Sequence, residues 1–384
     1  MGQSSLIAWR GLLFLGLLTA VVTAASVPLA GQAPQGSTGA VKRTLWGDPD
    51  VSGVWDSRIQ VPLQRAKGEK RELYTEAEVA AKEKAADAKQ SEVNKQIENG
   101  TFLALGDRCF PVDPGIFRDA SGGIERPAEI SRRTSAIIDP PNGRMPPWTR
   151  QQMKRWEDRE KASEGRGETD DYFDRNLGER CMTTLAPANA SAPTTRILQT
   201  RGYVAITNLE IGHAGEGSLR IIPMDGRPHV PSTIRLWQGD SRGHFEGDTL
   251  IIETTNVNDK NGPVNPFVFN NTYPGTGAQL RVVERFRLSS ANLLEYKVTM
   301  EDPDTYIRPF TVVRDLSRDD SYEMQPRGCH EGHRSIGGAL AQARGDEQTA
   351  LEYGIEGHQE RVKKYEAMKK DWAEFFPEWN QGSR

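Results

Sequence analysis

Gln279-Leu280-Arg281-Val282-Val283-Glu284-Arg285-Phe286-Arg287-Leu288, followed after the turn Ser289 to Asn292 by Leu293-Leu294-Glu295-Tyr296-Lys297-Val298-Thr299-Met300-Glu301, decides the fold. Apolar side chains recur here at alternate positions, the period of a strand whose successive side chains point to opposite faces. The same period runs from Thr195 to Met324. It predicts strands at Arg196 to Thr200, Tyr203 to Glu210, Leu219 to Pro223, Thr233 to Gln238, Gly243 to Glu246 and Thr249 to Thr255. The two quoted runs, Tyr306 to Arg314 and Ser321 to Met324 complete the set. Short turns such as Arg201-Gly202 and Gly247-Asp248 join most of them, so successive strands should pair antiparallel as a meander. Such a sheet with one apolar face closes on itself. The expected fold is therefore mainly β: an antiparallel up-and-down barrel with peripheral helices and long loops. The Asn-, Pro- and Gly-rich insertion from Asn256 to Gly277 would lie over one mouth.

Alternation also sorts charges. Val282, Glu284, Phe286 and Leu288 share one face of their strand, so Glu284 points where its apolar neighbours point. By the same rule Arg308 shares a face with Tyr306, Phe310 and Val312 and is expected to point inward, where the two could meet. A buried carboxylate pairs with a cation or has its ionisation disfavoured, and either suits ligand anchoring or acid-base work. A structural ion pair spanning the barrel explains the same pattern.

Outside the strand-rich region two helices are expected. Thr75 and Glu78 form a capping box for a helix over 75–99 whose thin apolar stripe, Val79, Ala86, Val93 and Ile97, places it on the surface. Thr149 and Gln152 cap a second over 150–164, with Met153 and Trp156 on its buried side. Gly53-x-Trp55 has the arrangement that opens many secreted barrels, the tryptophan plugging one end. Residues 46–345 are thus read as one barrel domain with helical insertions. Residues 346–384 are read as a helix packed on the barrel through Val362, Tyr365, Met368, Trp372 and Phe375.

The N-terminus places the chain. Arg10 precedes the apolar run Gly11 to Leu18, and small residues follow at Val22-Thr23-Ala24, the pattern of a secretory signal peptide over 1–24. Residues 25–45 read as a disordered leader. The apolar core is shorter than a membrane span of ~20 residues, so the mature chain is expected in the periplasm or outside the cell, without a transmembrane segment. Cleavage removes one basic residue, so 49 basic against 53 acidic residues become 48 against 53, a net −5. No basic block tracks a phosphate backbone, and nucleic acid is not an expected partner. Of the three cysteines, Cys181 and Cys329 are the expected disulfide, closing a long loop around the strands, with three free thiols as the alternative.

Two further constellations carry possible chemistry. Glu210-Ile211-Gly212-His213 ends a strand, with Arg220 starting the next, and Cys329-His330-Glu331-Gly332-His333 is dense in ligand-capable groups. Glycines beside His213 argue against a helical metal pair, and the second stretch lacks the His-Glu-x-x-His spacing, so no metal is expected. An acid-base arrangement of Glu210, His213, His330 and Glu331 at a barrel mouth is easier to build. His229 and His244 are weaker cases. Ser241 lacks a Gly-x-Ser-x-Gly elbow and no Gly-x-Gly-x-x-Gly follows a strand and opens a helix, so neither a serine hydrolase nor a dinucleotide is indicated and no cofactor is expected.

Arg220 to His229 (Arg-Ile-Ile-Pro-Met-Asp-Gly-Arg-Pro-His), Trp237 to Asn256, Val283 to Phe286, Asp302-Pro303 and Cys329 to Gly332 together resemble a family of uncharacterised secreted proteins of soil bacteria. The likeness spans Thr134 to Gly332. It implies that Glu210, His213, Cys329, His330 and Glu331 belong to the family motif, and it departs at His333, where the family usually has Asn. The strand pattern and the Gly53-x-Trp55 opening also resemble lipocalin-type (lipocalin-like) barrels, and neither likeness implies an activity.

These observations favour a barrel that binds a small, partly apolar molecule in its interior, with Glu284, Arg308 and Arg220 and the mouth residues as polar anchors. The alternative is a cofactor-independent lyase, isomerase or hydrolase. There His213 or His330 is the base, a carboxylate orients it, and Arg220 or Arg308 stabilises developing negative charge.

Overall fold

Two-residue turns at Arg201-Gly202 and Gly247-Asp248 leave the chain no route except back alongside itself, and Gly202 and Gly247 adopt the positive φ such turns need. The computed structural model describes residues 42–56, 59–98, 129–162, 185, 194–209, 219–260 and 277–322, together with 363, 366, 367, 369 and 370. Its elements begin with β1 (Gly53–Asp56), β2 (Ile59–Gln60), α1 (Glu76–Glu98), β3 (Glu129–Ile130), β4 (Ile137–Asp139) and α2 (Arg150–Ala162). They continue with β5 (Thr194–Thr200), β6 (Tyr203–Leu209), β7 (Leu219–Pro223), β8 (Asp240–Glu246), β9 (Thr249–Thr255), β10 (Arg281–Ser290), β11 (Leu293–Glu301) and β12 (Phe310–Arg318).

Hydrogen-bonded neighbours run β7-β6-β5-β1-β12-β11-β10-β9-β8, all antiparallel, and β4 adds to the start of β12. Sequence neighbours therefore lie side by side, with β1 inserted to join the first strand of the meander to the last. The result is a nearly closed antiparallel barrel. No ladder pair joins β7 to β8, the two ends of this order. They approach closely at Gly243, where a Cβ would fall 2.5 Å from Met224 Sδ and 3.1 Å from Ile222. The absent side chain lets the seam shut on apolar atoms.

Interior side chains are set largely by alternation. Val282, Glu284, Phe286 and Leu288 of β10 stand beside Leu294, Tyr296, Val298 and Met300 of β11, and all are buried. Phe286 and Tyr296, directly opposite in the ladder, stack with ring centroids 4.7 Å apart. Each such side chain, fully withdrawn from water, contributes ~1.5–3 kcal/mol. Trp55 is buried too; its Nε1 donates to Val51 O at 3.0 Å and the Arg318 guanidinium lies 4.4 Å over its ring.

The helices follow their caps. Thr75 N donates to Glu78 Oε2 at 2.8 Å and Glu78 N to Thr75 Oγ1 at 3.2 Å, starting α1 on the surface. Gln152 N donates to Thr149 Oγ1 at 3.1 Å, and Met153 and Trp156 of α2 join the core. No described helix is long and apolar enough to cross a membrane.

Three expectations change. Thr233 to Gln238 is not a strand: only Leu236 forms a bridge, parallel to Val257. The last described strand begins at Phe310 and runs to Arg318. Residues 306–309 turn instead, Tyr306 pairing with Trp148, because Pro309 has no N–H for a ladder. At the end of the expected leader, Lys42 and Arg43 join a small turn that runs on to Asp50, in which Asp50 N donates to Lys42 O and Arg43 pairs with Asp248 at 2.7 Å. The expected signal peptide, all three cysteines and most of the tail lie outside the described residues.

Candidate functional site

Arg220 on β7 and Glu284 on β10 meet inside the barrel, their side chains 2 % and 0 % exposed. Arg220 Nη1 donates to Glu284 Oε2 at 2.5 Å and Nη2 to Oε1 at 2.9 Å, the two-pronged geometry that suits a guanidinium and a carboxylate. Tyr296 on β11 adds a third donor, its hydroxyl 3.1 Å from Oε1. Backbone ladders bring these strands only partly together, since β7 and β10 are separated by the seam and by β8 and β9. The ion pair thus ties one edge of the sheet to its middle across the interior.

Burial works against the charge on Arg220, but the Glu284 carboxylate beside it more than offsets this and holds its pKa above the ordinary arginine value. Arg220 Nε is buried and has no hydrogen-bond partner. Leaving such a donor unmatched costs ~1–3 kcal/mol, so an acceptor from outside the chain would be rewarded at this atom. Arg314 of β12 stands opposite Tyr296 in the ladder, and burial pushes its guanidinium down to about 10.

Arg308 is not part of this cluster. It is half-exposed and pairs with Asp139 of β4 at 3.1 Å on the outside. The alternation of β12 does not extend back through Pro309, so the inward cations are Arg220 and, two positions after Val312, Arg314. Tyr296 was within reach of the same parity rule, because Leu294, Val298 and Met300 mark its face as interior. The partnership of Arg220 with Glu284 had no local signal: it depends on the barrel closing. Glu210, His213, His330, Glu331, Cys181 and Cys329 lie outside the described residues.

A second cluster sits on the outer wall. His229 Nδ1 lies 2.8 Å from Asp240 Oδ2, which also accepts from Val230 N at 3.0 Å, and His229 Nε2 lies 3.5 Å from Glu253 Oε1. Arg242 bonds Asp240 at 2.5 Å, and Arg281 bridges Glu253 and Glu301. Burial raises the Asp240 pKa, and its donors outweigh this, leaving the carboxyl below its usual range; Arg281 does the same for Glu253. These contacts pin the segment leading into β8 onto the sheet. His244 pairs with Glu246 in the open, 3.1 Å away. Among the described residues no group of three or more His, Cys, Asp or Glu is arranged to hold a metal.

Comparison with family models, curated proteins and solved structures finds no match to this chain. The interior cluster stands out on chemistry alone. It sets a paired carboxylate, a phenol and an unmatched guanidinium N–H among apolar walls, the polar chemistry that can fix the head of a bound molecule.

Proposed function

We propose that this protein is a periplasmic or secreted barrel that binds a small, partly apolar molecule in its interior, with Arg220, Glu284 and Tyr296 as the polar anchor. The observation that carries the reading is the buried, unmatched Nε–H of Arg220 beside a fully buried Glu284. A barrel of this size commonly holds one ligand, and a few converging polar groups among apolar walls are what fix a ligand's orientation. The leader sequence supports the compartment, and the strand pattern with Gly53-x-Trp55 supports a lipocalin-like mode of binding.

Native mass spectrometry of the mature protein, purified from the periplasm of the cells that make it, tests this. An organic mass bound one to one is expected, and it should be lost or weakened in Arg220→Lys, which keeps the charge but has no Nε–H in that place. Protein that carries no organic mass, and whose unfolding temperature is unmoved by a panel of apolar molecules with carboxylate, carbonyl or hydroxyl heads, would overturn the proposal.

A further inference from the structure

The outer face of β5, β6 and β7 is apolar where an outer wall should be polar. Arg196, Leu198 and Thr200 of β5 point outward, and the register sets Leu198 beside Ala205 of β6 and Ala205 beside Ile221 of β7. One row along, Arg196 stands beside Thr207 and Thr207 beside Leu219; at the hairpin end come Tyr203 and the turn residue Arg201. Leu198, Tyr203, Leu219 and Ile221 are 42 to 63 % exposed, a contiguous patch rather than scattered singles. Among the described residues neither Arg196 nor Arg201 makes an ion pair, and no carboxylate lies on these rows. The wall formed by β8 to β11 is the opposite in kind, laced by Arg242 with Asp240, Arg281 with Glu253 and Glu301, and Arg287 with Glu295.

We infer that this face docks on an anionic lipid surface. Branched aliphatic side chains and a tyrosine set between arginines match the layered chemistry of a bilayer boundary, where hydrocarbon takes the apolar tips, the phenol sits at headgroup level and cations meet phosphates. Charge favours a lipid surface over a second copy of the chain, since these rows offer no acid to Arg196 and Arg201 and the bordering acids Asp225 and Asp320 are already paired with Arg227 and Arg318. The patch is on the outer wall, so the inference does not rest on a ligand in the interior.

Cosedimentation of the full mature chain tests it, with vesicles of phosphatidylcholine alone and of phosphatidylcholine mixed with phosphatidylglycerol. Retention on the anionic vesicles at low salt is expected, falling as salt rises. Replacing either arginine by glutamine should lower partitioning about fivefold. Leu198→Ser with Ile221→Ser should lower it at every salt concentration, with unchanged circular dichroism confirming that the barrel is intact. Equal retention by the wild type and the Arg196→Gln, Arg201→Gln double variant would overturn the inference. So would failure to bind anionic vesicles at low salt, whether or not the chain self-associates through Ile221.

Discussion

Glu284→Gln removes one charge from the barrel interior and almost no volume, so its cost reports the ion pair rather than packing. In the wild type, Oε1 and Oε2 accept from Arg220 at 2.9 and 2.5 Å and Oε1 accepts from Tyr296 at 3.1 Å. A glutamine keeps one oxygen but turns an amide toward a guanidinium, donor against donor, and leaves the Arg220 charge buried without a counter-charge. Breaking a buried pair from one side costs ~3–5 kcal/mol. For a domain of this size that is a fall in unfolding temperature of roughly 5–15 °C. The paired replacement Arg220→Met with Glu284→Leu removes both charges. It should come back to within about 2 kcal/mol of the wild type, because apolar side chains of similar volume replace a buried pair at little cost. Urea titration of the wild type, Arg220→Met, Glu284→Leu and the double variant, followed by tryptophan fluorescence, gives the coupling energy directly. A Glu284→Gln chain within about 0.5 kcal/mol of the wild type would refute the buried pair. A double variant as unstable as the sum of the singles would refute the argument that the charges matter chiefly to each other.

Tyr296→Phe removes one of three donors to Glu284 and keeps the ring stacked on Phe286, so a loss of about 1 kcal/mol is expected in the same titration. Asp240 and Glu253 have folded pKa values below their ordinary ones. The stability they contribute is therefore complete above the unfolded carboxylate value near ~4 and is lost as pH falls through the folded values. Stability measured from pH 7 downward should decline through this window, and Asp240→Asn should flatten the decline while lowering stability at neutral pH. Gly239 and Gly202 both have positive φ, but a Cβ at Gly239 would fall 2.5 Å from Thr255 O, whereas nothing lies within 4 Å at Gly202. Gly202→Ala should cost about 1 kcal/mol of backbone strain and Gly239→Ala clearly more, with equal thermal shifts for the two refuting the close approach.

How far the sequence reaches is seen in neighbouring strands. Glu284 was legible because β10 pairs on both sides from Val282 to Arg287, so a period of two places Glu284 inside with Val282 and Phe286, and Leu219 to Pro223 and Leu293 to Glu301 match β7 and β11 to the residue. Arg308 was misplaced by the same rule applied across Pro309, where the chain is no longer in the ladder and parity carries no information. Thr233 to Gln238 alternates like a strand yet makes a single bridge at Leu236, since a strand needs a partner edge as well as a pattern. His229 lies 11 residues from Asp240 in the chain and 2.8 Å from it in space, a contact created when the segment before β8 folds onto the wall.

By itself the sequence determined the antiparallel barrel, the helix caps at Thr75 and Thr149, and the inward direction of Glu284, because periodicity, capping and turn chemistry act between residues a few positions apart. Only the tertiary structure decided that Arg220 is the partner of Glu284, that Tyr296 completes the site, and that the apolar rows of β5 to β7 end up outside. Those facts depend on which strands close the barrel and where its seam falls, and closure is set by the summed packing of distant side chains that no local pattern encodes.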